Sequence, residues 1–229
     1  MCNSATVGFG AGTAPNEAGG LSLRESRGRV GLPLALIPLL FGVQQLAEGV
    51  LWVGLRDDLS LVKSCATYVF SAFSHVLWPI FVPLAILLVE TSRRRMKAIP
   101  VFQMMGLGVG LYLLYYIVRF PVTARAERRS TFYDSPHFFI GAVLVVYLLA
   151  TCVSCLFSSH RCINVFGVPA SVLAVVAYLV SVETFVSVWC FFAAVLSLLI
   201  YAHFSGPMQA CRPTLARSHE VRPNTASLY

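Results

Sequence analysis

Charge is scarce in this sequence. Only 12% of its 229 residues are Asp, Glu, Lys or Arg, against about 25% in an ordinary soluble domain. A water-soluble chain of this length needs far more polar surface to cover itself, so a soluble globular domain is excluded. Acidic residues are fewest, ten against seventeen basic ones, leaving a net charge of +7. The basic residues sit beside apolar runs and carry no reader motif, so nucleic acid is not an expected partner. Neither lysine, Lys63 nor Lys97, falls inside an apolar run, which argues against a retinal Schiff base. HExxH, GxSxG and Walker sequences are missing. No apolar run holds two histidines at helical spacing, which disfavours a multi-histidine membrane hydrolase. The seven cysteines are odd in number and follow no secreted disulfide framework. Cys152 and Cys155 form a CxxC inside an apolar run, where buried cysteine is ordinarily a small hydrophobe.

Apolar sequence is plentiful. Hydrophobic residues make up 57% of the chain, with a mean hydropathy of +0.75. Six runs approach the roughly 20 residues needed to cross a bilayer: residues 33–55, 65–89, 98–118, 136–157, 165–180 and 184–204. The expected fold is all-α, a polytopic transmembrane helix bundle with six clear spans, or seven if the N-terminal segment also crosses. Residues 1–32 form that N-terminal segment, rich in Gly, Ala, Ser and Thr and interrupted by Pro15-Asn16-Glu17. They lack the basic start and apolar core of a signal peptide. Residues 33–205 form the bundle, and the polar residues 206–229 are expected to be a disordered cytoplasmic tail. Residues 119–135 read as a polar loop. Pro136 fits a first helical position, and Pro79 and Pro83 predict a kink in the second span. Gly106, Gly108 and Gly110 predict close helix packing. Trp52, Trp78 and Trp189 read as interface anchors or core.

Basic residues flanking the runs fall unequally on two sides. Arg24, Arg27, Arg29, Arg93, Arg94, Arg95, Lys97, Arg161, Arg212, Arg217 and Arg222 share one side, and the other six basic residues share the opposite one. By the positive-inside rule the richer side, with the C-terminus, is cytoplasmic.

A few polar residues interrupt the runs. Glu48 lies within the first, where a carboxylate is costly unless neutral, paired or wet. Gln44 is one helical turn earlier and Gln45 three residues away, so the three form a polar stripe. His75 lies in the second run with Ser71, Ser74 and Trp78 close by. These residues, Gln44, Gln45, Glu48, Ser74, His75 and Trp78, are the expected ligand or proton site. At about 1.5 Å rise per residue, Glu48 and Cys190 each lie roughly 10 Å from the outer ends of their helices, and His75 roughly 15 Å. Glu48, His75 and Cys190 therefore share a layer. Carboxylate, imidazole and thiolate form a conceivable transition-metal set. Glu183 and Thr184 read as a helix start.

The chain begins Met1-Cys2-Asn3-Ser4-Ala5-Thr6. It then carries Gln44, Gln45, Glu48 and Gly49 in one run, Trp78, Pro79, Val82, Pro83 and Leu84 in the next, and Ser187-Val188-Trp189-Cys190-Phe191 late. These motifs resemble a family of uncharacterised prokaryotic multi-pass membrane proteins that begin Met-Cys-Phe-Ser-Ala. The resemblance implies seven helices, an outside N-terminus, an extra helix over residues 7–23 and a bacterial inner (plasma) membrane location. It implies no activity and no cofactor. Three functions follow from the residues: a bundle that transports or senses a small molecule or ion, an intramembrane metal-dependent enzyme, or a structural membrane partner without a ligand site. The lipid bilayer is the one expected partner common to all three.

Overall fold

The computed structural model describes residues 5–25, 32–127, 130–135, 137–138 and 140–204. Seven helices fill most of them: α1 (Ala5–Glu25), α2 (Leu32–Arg56), α3 (Ser60–Val89), α4 (Arg95–Arg119), α5 (Gly141–Leu156), α6 (Arg161–Val180) and α7 (Phe185–Phe204). Four of these, α2, α3, α4 and α6, are long and apolar enough to cross a membrane, while the apolar helices of α5 and α7 are shorter. The six expected spans thus resolve into four long apolar helices and two shorter ones. The helix expected over 165–180 begins earlier, at Arg161, directly after an extended His160. Pro136 lies outside the described residues. The helix expected to start there begins instead at Gly141, because His137 adopts a positive φ of 65° and Ile140 is extended. The tail at 206–229, Cys2, Asn3, Arg27 and Arg29 also lie outside the described residues.

Residues 7–23, doubtful as a span by composition, fold as part of α1. Pro15 removes one backbone donor, and the Asn16 side-chain amide donates to the Gly12 carbonyl at 2.9 Å. Glycines then let α1 lie against α2. A Cβ at Gly8 would stand 2.7 Å from the Gly49 Cα, and one at Gly42 would stand 2.6 Å from the Asn16 side chain. Small residues that bring backbones together hold helices where hydrophobicity gives no preference, so α1 needs little apolar surface of its own.

The segment read as a polar loop contains a β-hairpin. Strands β1 (Thr123–Glu127) and β2 (Ser130–Asp134) pair antiparallel, with Arg125 opposite Phe132. In β2, Ser130, Thr131 and Tyr133 are buried. The hairpin folds against α2, α3 and α7.

The core has two apolar layers. One contains Phe70, Leu113, Tyr133, Phe138, Tyr147 and Trp189 and lies towards the hairpin. The other contains Phe41, Trp78, Ile86, Ile99, Phe166 and Ile200. On α2 and α3 the polar residues fall in the sequence between members of the two layers. At the end away from the hairpin, Glu90 joins two turns. It accepts from the Thr91 and Ser92 amides at 3.0 and 2.9 Å, and from the Ser159 hydroxyl and amide at 2.5 and 2.8 Å. Arg95 donates to the Ser158 carbonyl, and His160 Nε2 meets the Val89 carbonyl at 2.8 Å.

Candidate functional site

Glu48 is fully buried on α2. Its Oε1 accepts from the Ser187 hydroxyl of α7 at 2.5 Å, and its Oε2 from the Gln45 side-chain amide at 3.4 Å. The Thr131 hydroxyl of β2 lies against the same carboxyl without a well-aligned hydrogen bond. The ion pairs among the described residues are Arg56–Asp57, Lys63–Asp58 and Arg125–Glu127, so no described cation neutralises Glu48. Hydroxyl and amide donors are what hold this carboxyl among apolar helices.

Gln44 points to α3. Its Oε1 accepts from the Trp78 indole N–H at 2.5 Å, while Trp78 stacks on Phe41 with centroids 3.8 Å apart. The Gln44 Nε2 and Gln45 Oε1 atoms are buried without a partner.

The second part of the site is made by an irregularity in α3. Residues Ala72–Leu77 form a π-helical turn, and the Trp78 amide reaches back to the Phe73 carbonyl instead of Ser74's. The next residue, Pro79, has no N–H to offer the Ser74 carbonyl. The Tyr147 hydroxyl of α5 donates there instead. The expectation at Pro79 was a kink; what stands just before it is this π-helical turn. Single π-helical turns recur at functional sites, and this one carries His75.

His75 is fully buried. Its Nδ1 lies 2.6 Å from the Ser74 hydroxyl, which itself donates to the Phe70 carbonyl at 2.9 Å. The imidazole Nε2 is buried without a partner. Phe138 packs on the ring at 4.2 Å. The same loop therefore covers both parts of the site, Thr131 over Glu48 and Phe138 over His75. Tyr133 fastens the loop by stacking on Phe70 at 4.4 Å.

Of the expected site residues, Gln45 joins Glu48, Gln44 joins Trp78, and Ser74 joins His75. Cys190 lies one turn beyond Ser187 and near Tyr147. The proposed metal set does not assemble: among the described residues no three His, Cys, Asp or Glu side chains gather closely enough to hold an ion. Shared depth was the basis for that set, and depth does not fix which faces meet. Cys152 and Cys155 are free, buried thiols, and Cys155 donates to the Thr151 carbonyl at 3.3 Å, as core residues do. Trp189 is also core, its indole donating to the Ala170 carbonyl at 3.1 Å. Ser187, Thr131, Tyr147 and Phe138 were not among the expected site residues. The β-branched and aromatic run Thr131-Phe132-Tyr133 was a readable strand signal, but nothing local linked it to Glu48.

No curated protein and no solved structure gives a significant match to this sequence. Residues 1–214 match the family of unknown function DUF6629, and the chain belongs to that family.

Proposed function

We propose that this chain is a polytopic membrane protein whose buried Glu48 constellation binds a proton or a small ion for transport or sensing. In this reading α1 to α7 cross the bilayer, and the end after α7 is cytoplasmic. The basic-residue bias supports that orientation. The outward faces of α4 and α6 support lipid exposure: only 28% and 33% of their most apolar stretches are buried, and Val101, Met104, Leu114, Val172, Val175 and Leu179 lie open.

The observation that carries the proposal is a fully buried carboxyl without a described cation partner. Unpartnered polar atoms accompany it on the same elements: Gln44 Nε2, Gln45 Oε1, Ser71 Oγ, His75 Nε2 and Thr131 Oγ1. Buried polar atoms left unsatisfied cost about 1–3 kcal/mol each, so water or an ion has reason to enter among them. An ionisable residue in such surroundings marks a functional site by default.

A second reading has its own observation. The 2.5 Å bond from Ser187 to Glu48 ties α7 to α2, which is what a structural membrane partner without a ligand site would need. Proton counting separates the two. Purified protein in weakly buffered nanodiscs is titrated beside Glu48→Gln. The functional reading expects wild type to take up and release one more proton, reversibly, while folded. Equal counts, or a difference arising only on unfolding, leave the structural tie.

A further inference from the structure

The unpartnered atoms beside Glu48 are of one chemical kind. Gln45 Oε1 and Thr131 Oγ1 are buried oxygens without a hydrogen-bond partner, on residues with no exposed surface. The Gln45 amide nitrogen stands 3.4 Å from Glu48 Oε2, so its oxygen belongs to an amide that already flanks the carboxyl. Thr131 lies against the carboxyl from β2, and the Ser187 hydroxyl reaches Oε1 from α7 at 2.5 Å. Carboxyl, hydroxyl and amide oxygens thus gather from α2, the hairpin and α7. The unpartnered donor nearby, Gln44 Nε2, sits on the residue that turns to Trp78.

We propose that this oxygen cluster binds a sodium ion, which takes the place of the Glu48 proton. The inference rests on the reading of Glu48 as an ion site and names the ion. A proton on the carboxyl serves one oxygen and leaves the Gln45 carbonyl, an acceptor only, still unmet. A cation draws on all the lone pairs at once, because the Ser187 and Thr131 hydroxyls rotate to present oxygen. Ligand type favours a hard ion: carboxylate and carbonyl oxygens suit hard cations, and no described group of His, Cys, Asp or Glu gathers to hold a transition metal. Charge selects a monovalent ion. The described side chains that meet the carboxyl, Ser187, Thr131 and Gln45, are all neutral, so a divalent ion would leave a buried net positive charge, which is costly. Spacing favours sodium over potassium, since Ser187 Oγ and Glu48 Oε1 are already held 2.5 Å apart and the smaller ion spreads them less.

The test measures binding of radioactive sodium to the full-length protein in phosphatidylcholine nanodiscs. Wild type is expected to bind it saturably, with displacement by unlabelled sodium and not by equal potassium or choline. Adding sodium chloride in weak buffer is expected to release a proton from wild type and none from Glu48→Gln. Glu48→Gln is expected to lose sodium binding. Thr131→Val and Gln45→Leu are each expected to raise the half-saturating sodium concentration roughly tenfold, with a melting transition showing that each variant folds. The selectivity of wild type needs no variant and stands as a test by itself. Absence of saturable binding, equal displacement by potassium, or wild-type binding in both Thr131→Val and Gln45→Leu would overturn the proposal. If sodium fails to bind while folded wild type still takes up its extra proton relative to Glu48→Gln, the sodium proposal alone falls. If that proton is missing too, the reading of Glu48 as an ion site falls with it.

Discussion

Glu48 ties α7 to α2 through one carboxyl, and its replacements separate chemistry from packing. Glu48→Gln keeps an acceptor for Ser187 and is expected to cost less than about 1 kcal/mol. Glu48→Ala leaves the Ser187 and Gln45 donors without that partner and is expected to cost about 1–3 kcal/mol. Unfolding of both variants in mild detergent checks this, and equal costs would contradict it. The glycines of α4 give a sharper contrast. A methyl at Gly106 would overlap the Pro79 carbonyl oxygen, whereas one at Gly108 meets nothing within 4 Å. Pro83 has no N–H to occupy that oxygen, so α3 and α4 close on each other there. Gly106→Ala is therefore expected to destabilise by about 1–3 kcal/mol. Gly108→Ala is expected to be neutral or stabilising, by up to about 1 kcal/mol. The sequence pointed to close packing along this series but not to which glycine provides it, because that depends on how α4 is rotated against α3.

At the scale of elements, the π-helical turn of α3 makes a prediction of its own. Tyr147 serves a carbonyl that Pro79 cannot. Tyr147→Phe is expected to cost about 0.5–1.5 kcal/mol in the wild type and measurably less in a Pro79→Ala background, where an amide becomes available. A double-mutant cycle reads the coupling directly, and strictly additive costs would remove this account of the turn. Much at this scale was legible in the sequence. Long apolar runs gave the helices, whereas the prolines of α3 suggested a kink and not the π-helical turn that stands just before Pro79. Glu48 and His75 stood out because polar groups in such runs are expensive. Two elements were harder to read. Residues 7–23 looked too polar because α1 is held by glycine contacts and not by its own apolar surface. The hairpin looked like a loop because its burial comes from the ends of α2, α3 and α7, which no local pattern reports.

For the molecule as a whole, Glu90 fastens two turns at the end opposite the hairpin, and it brings a pH dependence. Partial burial works to raise its pKa, yet the Ser159 hydroxyl and amide with the Ser92 and Thr91 amides outweigh that and hold it below the ordinary value of 4.5. A carboxyl depressed in the folded state adds stability above its unfolded value and loses it as pH falls through the folded one. The stability gap between wild type and Glu90→Gln is therefore expected to be constant well above pH 4.5 and to shrink below it. Unfolding measured across that range checks the sign, and a gap that widens in acid would contradict it. The central claim rests on the other carboxyl. Infrared difference spectroscopy of the protein in lipid, scanned through pH and compared with Glu48→Gln, tests it most directly. The account predicts a carboxylic-acid carbonyl band that appears and vanishes reversibly with pH in the folded wild type and is missing from Glu48→Gln. A band that never changes while the fold persists, or a wild-type spectrum identical to that of Glu48→Gln, would contradict it.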